Sequence, residues 1–220
     1  MQDTFKHKGL RRKLVNILAQ KGIHQESILN AIGSIPRHWF LDSAIAEHAY
    51  QDKAMPIGAG QTISQPFTVA YQTQLLEVSK GMRVLEVGTG SGYQGAVLCA
   101  LGSELYSIER IAELSVKAKR MFERFGFAPH LKVGDGSLGW PEAAPFDRII
   151  VTAAAPKIAN SLFAQLKPGG IMVIPVGNEV QTMYRVKKTT EGKPITESFE
   201  QFRFVPLIGA DGFSVGERPS

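Results

Sequence analysis

Hydrophobic and polar positions divide the chain into zones of different rhythm. Through about residues 9–50 the apolar positions fall at helical spacing. Leu10, Leu14, Ile17 and Leu18 mark one helix face with Gly22 as its stop, and Ile28, Leu29 and Ile32 mark a second that ends at Pro36. Residues 51–67 hold two prolines and two glycines with neither a helical nor a strand period. A loop of that length inside a domain is expected to be functional. From residue 68 the chain alternates: a helix over 69–76, a strand over 83–87, the turn Gly88-Thr89-Gly90-Ser91-Gly92, and a helix through Leu101. A strand over 105–108 ends at Glu109, and Ile111, Leu114, Ala118, Met121 and Phe125 mark one helix face. Strands then follow over 131–133, 146–152 and 171–174, the last preceded by a helix near 160–166 and the turn Lys167-Pro168-Gly169-Gly170. Short apolar strands separated by helices predict an α/β fold with a doubly wound, mostly parallel sheet. Residues 182–188 and 199–207, around the turn 191–194, predict a C-terminal antiparallel strand pair.

This pattern predicts a single domain over 1–208. It comprises an N-terminal helical part (1–50), the loop (51–67), a ligand-binding core (68–179) and the C-terminal strands (180–208). The stretch 209–220 has no period and is expected to be mobile.

Composition agrees with a packed core: 44% of residues are hydrophobic and 20% charged. The formal net charge is +5. Residues 1–21 hold six Lys and Arg against Asp3 alone, so the excess belongs to the first helix and the rest of the chain balances. That predicts a solvated basic helix face, with a membrane or RNA contact of this one helix as the alternative, and argues against a nucleic-acid surface over the body of the chain, which would spread its charge. A lone Cys99, spaced as a core helix residue, excludes an internal disulfide, and five scattered histidines offer no zinc spacing, so no metal is expected. No apolar run reaches the ~18–20 residues of a membrane span. The N-terminus lacks a signal-peptide core, so a cytoplasmic, monomeric protein without membrane contact is expected.

Glycines between a strand and a helix let backbone N–H groups approach a ligand. Glu109, 21 positions past Gly88 at the end of the next strand, can accept from both hydroxyls of a ribose. A dinucleotide fingerprint wants Gly or Ala at position 93, where Tyr93 stands, which argues against a nicotinamide-dependent oxidoreductase. Glu86, two before the first glycine, would be unwelcome beside a diphosphate but suits a cationic ligand. The combination Glu86, Gly88, Gly90, Gly92 and Glu109 resembles the S-adenosylmethionine site of Rossmann-like methyltransferases. In that fold Asp135 and Gly136, after the third strand, lie where the adenine is contacted.

A narrower resemblance rests on longer blocks. They are Ala54-Met-Pro-Ile-Gly-Ala-Gly-Gln-Thr-Ile-Ser-Gln-Pro66, Val84-Leu-Glu-Val-Gly-Thr-Gly-Ser-Gly-Tyr-Gln94 and Tyr106-Ser-Ile-Glu-Arg110. With them go Ala144-Pro-Phe-Asp-Arg-Ile-Ile-Val-Thr-Ala-Ala-Ala-Pro156, Gln165-Leu-Lys-Pro-Gly-Gly170, Ile174-Pro-Val-Gly177 and Arg203-Phe-Val-Pro-Leu207, and Ile35-Pro-Arg-His-Trp-Phe40 near the start. Over about residues 10–208 the chain resembles the protein-L-isoaspartate O-methyltransferases. The resemblance implies methyl transfer from S-adenosyl-L-methionine to the free α-carboxylate of isoaspartyl residues in damaged proteins and peptides. The ester then closes to a succinimide that can reopen as normal aspartate. It places the active-site serine on Ser64, with Gln61 and Thr62 shaping the pocket. Pro56, Ile57, Gly58, Val205 and Leu207 would flank the substrate backbone. A carboxylate is already ionised at neutral pH, so no general base is required. Tyr71-Gln72 departs from the family pattern near the cofactor loop, and Ala159 stands where a proline is frequent. A methyltransferase for a small molecule or RNA is the alternative, but Thr152-Ala-Ala-Ala-Pro156 replaces the Asn/Asp-Pro-Pro-Tyr-like motif that amine methylation would want. A non-catalytic nucleic-acid binder would need basic and aromatic residues interleaved on one surface, which the neutral body does not offer.

Overall fold

Thr4 starts the first helix with a capping box: its hydroxyl accepts from the His7 N–H while its own N–H donates to His7 Nδ1. In the computed structural model, which describes residues 2–214 and 216, the elements run as follows. Helices α1 (Phe5–Gln20) and α2 (Glu26–Ser34) lead through a short 3₁₀ turn (Arg37–Phe40) to the paired strands β1 (Met55–Gly58) and β2 (Gln61–Ile63). Helix α3 (Pro66–Leu76), β3 (Arg83–Val87), α4 (Tyr93–Ala100), β4 (Glu104–Glu109) and α5 (Ala112–Arg124) come next. The chain continues through β5 (His130–Val133), β6 (Phe146–Val151), α6 (Asn160–Ala164), β7 (Leu166–Val176), β8 (Gln181–Lys188) and β9 (Pro194–Phe202).

Seven strands form one sheet in the order β5-β4-β3-β6-β7-β8-β9, parallel through β7 and antiparallel from β7 to β9. Four of the five β3 residues are fully buried, as a central strand covered on both faces requires. Alternate side chains serve opposite faces. Val84, Leu105 and Ile150 join the core made with α1 to α5, whereas Leu85, Val87, Ile108 and Ile149 join the core capped by Leu162 of α6. Strand order reverses about β3, with β4 on one side and β6 on the other. In open α/β sheets that is where ligands bind.

Four sequence expectations change. The loop 51–67 contains a hairpin, β1–β2, closed by Ala59 and Gly60, both at positive φ (52° and 68°), the handedness a two-residue hairpin turn needs. Strands of three and four residues, in which only Met55 and Ile63 are buried, leave no readable period. Lys167-Pro168-Gly169-Gly170 lies within β7 as an irregularity, not before it: Leu166 pairs with Phe146, but Ile171 already pairs with Arg148. The last strand covers 194–202, not 199–207, because it is an exposed edge whose register comes from pairing Lys188 with Pro194. Residues 205–207 instead run beside Ala154, whose N–H donates to Val205 O (2.8 Å) while Leu207 N donates to Ala154 O (2.7 Å).

The stretch after 208 is also built in. Phe213 N donates to Leu207 O (2.8 Å) and Ala210 N to Asp135 Oδ2 (2.7 Å); residues 215 and 217–220 lie outside the described residues. The basic face of α1 has one inward member. Arg11 binds both Asp3 oxygens (3.0 and 2.9 Å), the Tyr50 hydroxyl and the Gly33 carbonyl. Among the described residues no helix is long and apolar enough to cross a membrane.

Candidate active site

The C-terminal ends of β3, β4 and β6 open into one cleft, lined by Val87, Ile108, Glu109 and Thr152 at the strand ends. Its floor is the glycine turn. Gly88 has φ 99°, and a Cβ there would collide with Thr152 Oγ1, which donates to the carbonyls of Val87 (3.0 Å) and Gly88 (2.6 Å). Gly90 N donates to Glu109 Oε2 (2.8 Å), and Ile111 N donates to Oε1 (2.9 Å). The strand-end carboxylate is thus fixed against the turn, and each oxygen keeps a lone pair for a hydroxyl. Gly136 lines the cleft too, and a Cβ there would come within 2.7 Å of Val87 Cγ1. Gly92 does not line it. It begins α4, where a Cβ would meet Ala118 Cβ at 3.1 Å, so its smallness serves the packing of α4 on α5.

Glu86 and Asp135 sit differently from expectation. Glu86 is fully buried beneath the turn and lines no cleft. Its Oε2 accepts from Ser107 Oγ (2.6 Å), whose hydroxyl lies 2.6 Å from that of Thr89 on the cleft wall. Its Oε1 has no partner, and burial pushes the carboxyl up to about 8, so at neutral pH it is held as the uncharged acid and not as a counter-charge to a cation. Asp135 is occupied by its own chain. Oδ1 accepts from the Ser137 N–H (2.9 Å) and hydroxyl (2.7 Å), and Oδ2 from Ala210 N. Burial raises its carboxyl, but these hydrogen bonds outweigh burial and hold it below the usual range. Asp135 therefore ties the 208–213 segment, which contributes Ile208, against the cleft that Gly136 lines.

These residues fit S-adenosylmethionine. Glu109 offers acceptors for a ribose, Ile108 and Leu207 offer apolar wall, and Gln94 offers an acceptor for an ammonium group. The Gln94 amide donates to Thr73 Oγ1 (3.0 Å), leaving its buried Oε1 without a partner on the cleft wall. Sequence reasoning missed Gln94 and Thr152. Each stands at the end of an element facing the glycine turn, and that position was the available signal.

A second cleft adjoins the first through Thr62, Ser64, Thr152 and Val205, and is walled by Phe67, Val180, Phe202, Phe204 and the exposed Arg203. Ser64, between β2 and α3, stands at the junction. Its hydroxyl makes no hydrogen bond within the described residues, while its carbonyl accepts from Arg37 Nη2 (2.8 Å). Gln61 and Leu207 line the first cleft, and Thr62 and Val205 line both. Pro56 and Gly58, on the outer hairpin strand, line neither, and Ile57 reaches the turn only by its Cδ1, 3.6 Å from where a Gly90 Cβ would stand. The Tyr71-Gln72 departure lies outside the cleft. Tyr71 stacks on Phe67, and Gln72 donates to Val151 O (2.9 Å). Asp3, His7 and His38 bring three potential metal ligands together, but Asp3 is spent on Arg11 and both ring nitrogens of His38 have partners.

Comparison with known proteins agrees with this architecture. The sequence profile of the protein-L-isoaspartate(D-aspartate) O-methyltransferases matches residues 9–212. The chain is 56% identical over 209 residues to the protein-L-isoaspartate O-methyltransferase of Flavobacterium psychrophilum, covering 94% of this chain and 98% of that one. It is 55% identical, with the same coverage, to the protein of that name from Christiangramia forsetii. A solved protein-L-isoaspartate O-methyltransferase superposes with a TM-score of 0.82 at 31% identity, over 92% of this chain and 67% of that chain. Another, from Plasmodium falciparum and in complex with S-adenosyl-L-homocysteine, shares the fold with a TM-score of 0.78 at 23% identity, over 92% and 98%. With its glycine turn, strand-end Glu109 and junction Ser64, the chain belongs to the protein-L-isoaspartate(D-aspartate) O-methyltransferase family.

Proposed function

We propose that this chain, acting as a cytoplasmic monomer, methylates the free α-carboxylate of isoaspartyl residues in damaged proteins and peptides, initiating their return to aspartate. The observation that carries the reading is the Ser64 hydroxyl, without a hydrogen bond among the described residues, at the junction of the glycine-turn cleft and a groove lined by aromatic and polar side chains, Glu200, Gln201 and Arg203 among them. When bound, S-adenosylmethionine supplies an activated methyl group. Glu109 and the glycine turn hold it, and Ser64 donates to a carboxylate oxygen entering from the groove and orients it. Tyr93, Glu109 and Arg110 are the titratable side chains lining the cofactor cleft, and none is placed as a base. None is needed, because the acceptor is already ionised. What the chain contributes is alignment and exclusion of water. Pro206, with no N–H, leaves the open side of the 205–207 segment as an acceptor edge alongside which a substrate backbone can lie.

The test is methyl transfer to matched peptides carrying isoaspartate or ordinary aspartate at one position. Labelling of the first alone is expected, and equal labelling of both, or of neither, refutes the assignment. Two variants separate the two halves of the site. Ser64→Ala is expected to lower turnover by about 10–100-fold, the worth of one hydrogen bond to a charged group, with cofactor affinity kept. Glu109→Gln is expected to do the reverse, raising the cofactor Kd by about 10–100-fold in calorimetric titration. Wild-type turnover in the first, or wild-type affinity in the second, removes that residue from its role.

A further inference from the structure

Arg37 is fully buried, yet no carboxylate of the described residues pairs with it. Its Nε donates to Ala49 O (2.9 Å) and its Nη2 to Ser64 O, its Nη1 has no partner, and its guanidinium carbon lies 4.8 Å from the centre of the Tyr93 ring. Tyr93 is the titratable group that acts on it most, and the nearest carboxylate in effect, Asp52, is itself spent on Lys21 and on the Phe67 N–H. Burial lowers the guanidinium to about 10, which still leaves it protonated at neutral pH. An unpaired charge in a protein interior is costly, so one kept there calls for a compensating anion. Two of the three groups touching its head belong to the active site; the third is the Ala49 carbonyl. Tyr93 lines the cofactor cleft and Ser64 joins it to the groove. Helix α3, starting at Pro66, adds its positive end at the same place.

We propose that Arg37 is a positioning residue: the buried counter-charge of the substrate's α-carboxylate, acting through the Ser64 peptide group it holds. This deepens the reading of Ser64 and rests on it. The charge effect has a direction. As the carboxylate becomes a neutral ester, the attraction disappears, so a fixed cation stabilises bound substrate more than product. Arg37 therefore favours capture of the ionised acceptor and release of the ester, and acts on KM more than on kcat. The exposed Arg203, in the adjoining groove beside Glu200, and the exposed Arg110, on the cofactor cleft, are the competing cations.

The experiment compares two peptides that differ at one group, an isoaspartyl residue bearing either its α-carboxylate or the neutral α-carboxamide. Binding is measured by calorimetry with S-adenosylhomocysteine present. The wild-type chain is expected to prefer the carboxylate by at least about tenfold, and to keep that preference between about 0.05 and 0.5 M salt, since a buried charge is poorly screened. Arg37→Gln, which keeps a hydrogen-bond donor without the charge, should bring the preference down about tenfold and raise KM about as much, with kcat within about threefold. Arg37→Lys should keep the preference. Equal weakening of both peptides in Arg37→Gln would mean that the residue only shapes the loop, and overturns the proposal. If the Arg37 variants do not fold, the wild-type chain and Arg203→Gln decide. A preference lost in salt or in Arg203→Gln assigns the anion to a surface cation and refutes the proposal; one that survives both supports it. Failure here with isoaspartyl methylation intact leaves the proposed function standing, whereas absence of methylation removes both.

Discussion

Relative to a Glu86→Gln variant, the wild-type chain is expected to lose about 1.4 kcal/mol of stability per pH unit between about pH 5 and pH 8. The cause is the sealed position of this carboxyl beneath the glycine turn, which lifts it from 4.5 to about 8. In that window the native state keeps the proton and the unfolded chain has released it, so raising the pH favours unfolding. Below 4.5 both states hold the proton, and above about 8 both have lost it, so the dependence flattens at each end. Glutamine keeps an oxygen for Ser107 and cannot ionise, which removes the native-state term. Urea unfolding of the two proteins across pH 4–9 checks this: the curves should diverge through the window, and parallel curves would show that Glu86 is not held neutral. Hydrogen bonding alone would have predicted the opposite sign, since Ser107 donates to this carboxyl. Burial wins: Oε1 has no partner, the Glu109 charge pushes the same way, and among the described residues no cation pairs with the side chain.

Gly88→Ala is expected to abolish measurable cofactor binding and to lower stability by about 2–5 kcal/mol. Two costs add: an L residue held at φ 99°, and a methyl group driven into Thr152 Oγ1. At the usual ~2–4 °C per kcal/mol for a chain of this size, the melting temperature falls by roughly 4–20 °C. A Gly88→Ala/Thr152→Ala pair removes the collision but keeps the strained backbone, so a double-mutant cycle should show recovery of part of the loss. Full additivity of the two single losses would mean that the turn relaxes away from Thr152 and that the contact does not set its shape.

Legibility from sequence followed the local physics of each element. Strand 83–87 could be bounded correctly because a doubly covered strand reads as an apolar run, and Gly88, where it ends, has one structural use. The parallel order followed from alternation. Strand β9 escaped because an exposed edge carries no hydrophobic signature, and the β1–β2 hairpin because its strands are too short to show a period. In the candidate site, Glu109 lines the cleft at the strand end where its spacing from Gly88 put it, and Ser64, placed by the resemblance, lines the junction of the two clefts. Glu86 was legible as a residue but not as a protonation state, which depends on α4, β4 and α5 closing over it. Asp135 looked available because its partner Ala210 lies 75 positions away in a stretch without pattern. Arg37 was hidden for the same reason: its meaning comes from Ala49, Ser64 and Tyr93, brought together only by the fold.

That long reach has a temporal side. A chain made from its N-terminus has its glycine turn, Glu109 and Gly136 in hand well before Val205 to Phe213 exist. Until then one wall of the cleft is missing, and Asp135 and Ser137 face water where Ala210 and Asp211 will later dock. The nascent protein therefore passes through a stage in which the sheet centre can form while the cleft lacks the wall of Val205, Pro206, Leu207 and Ile208. Maturation of the site waits on translation of its most distant part.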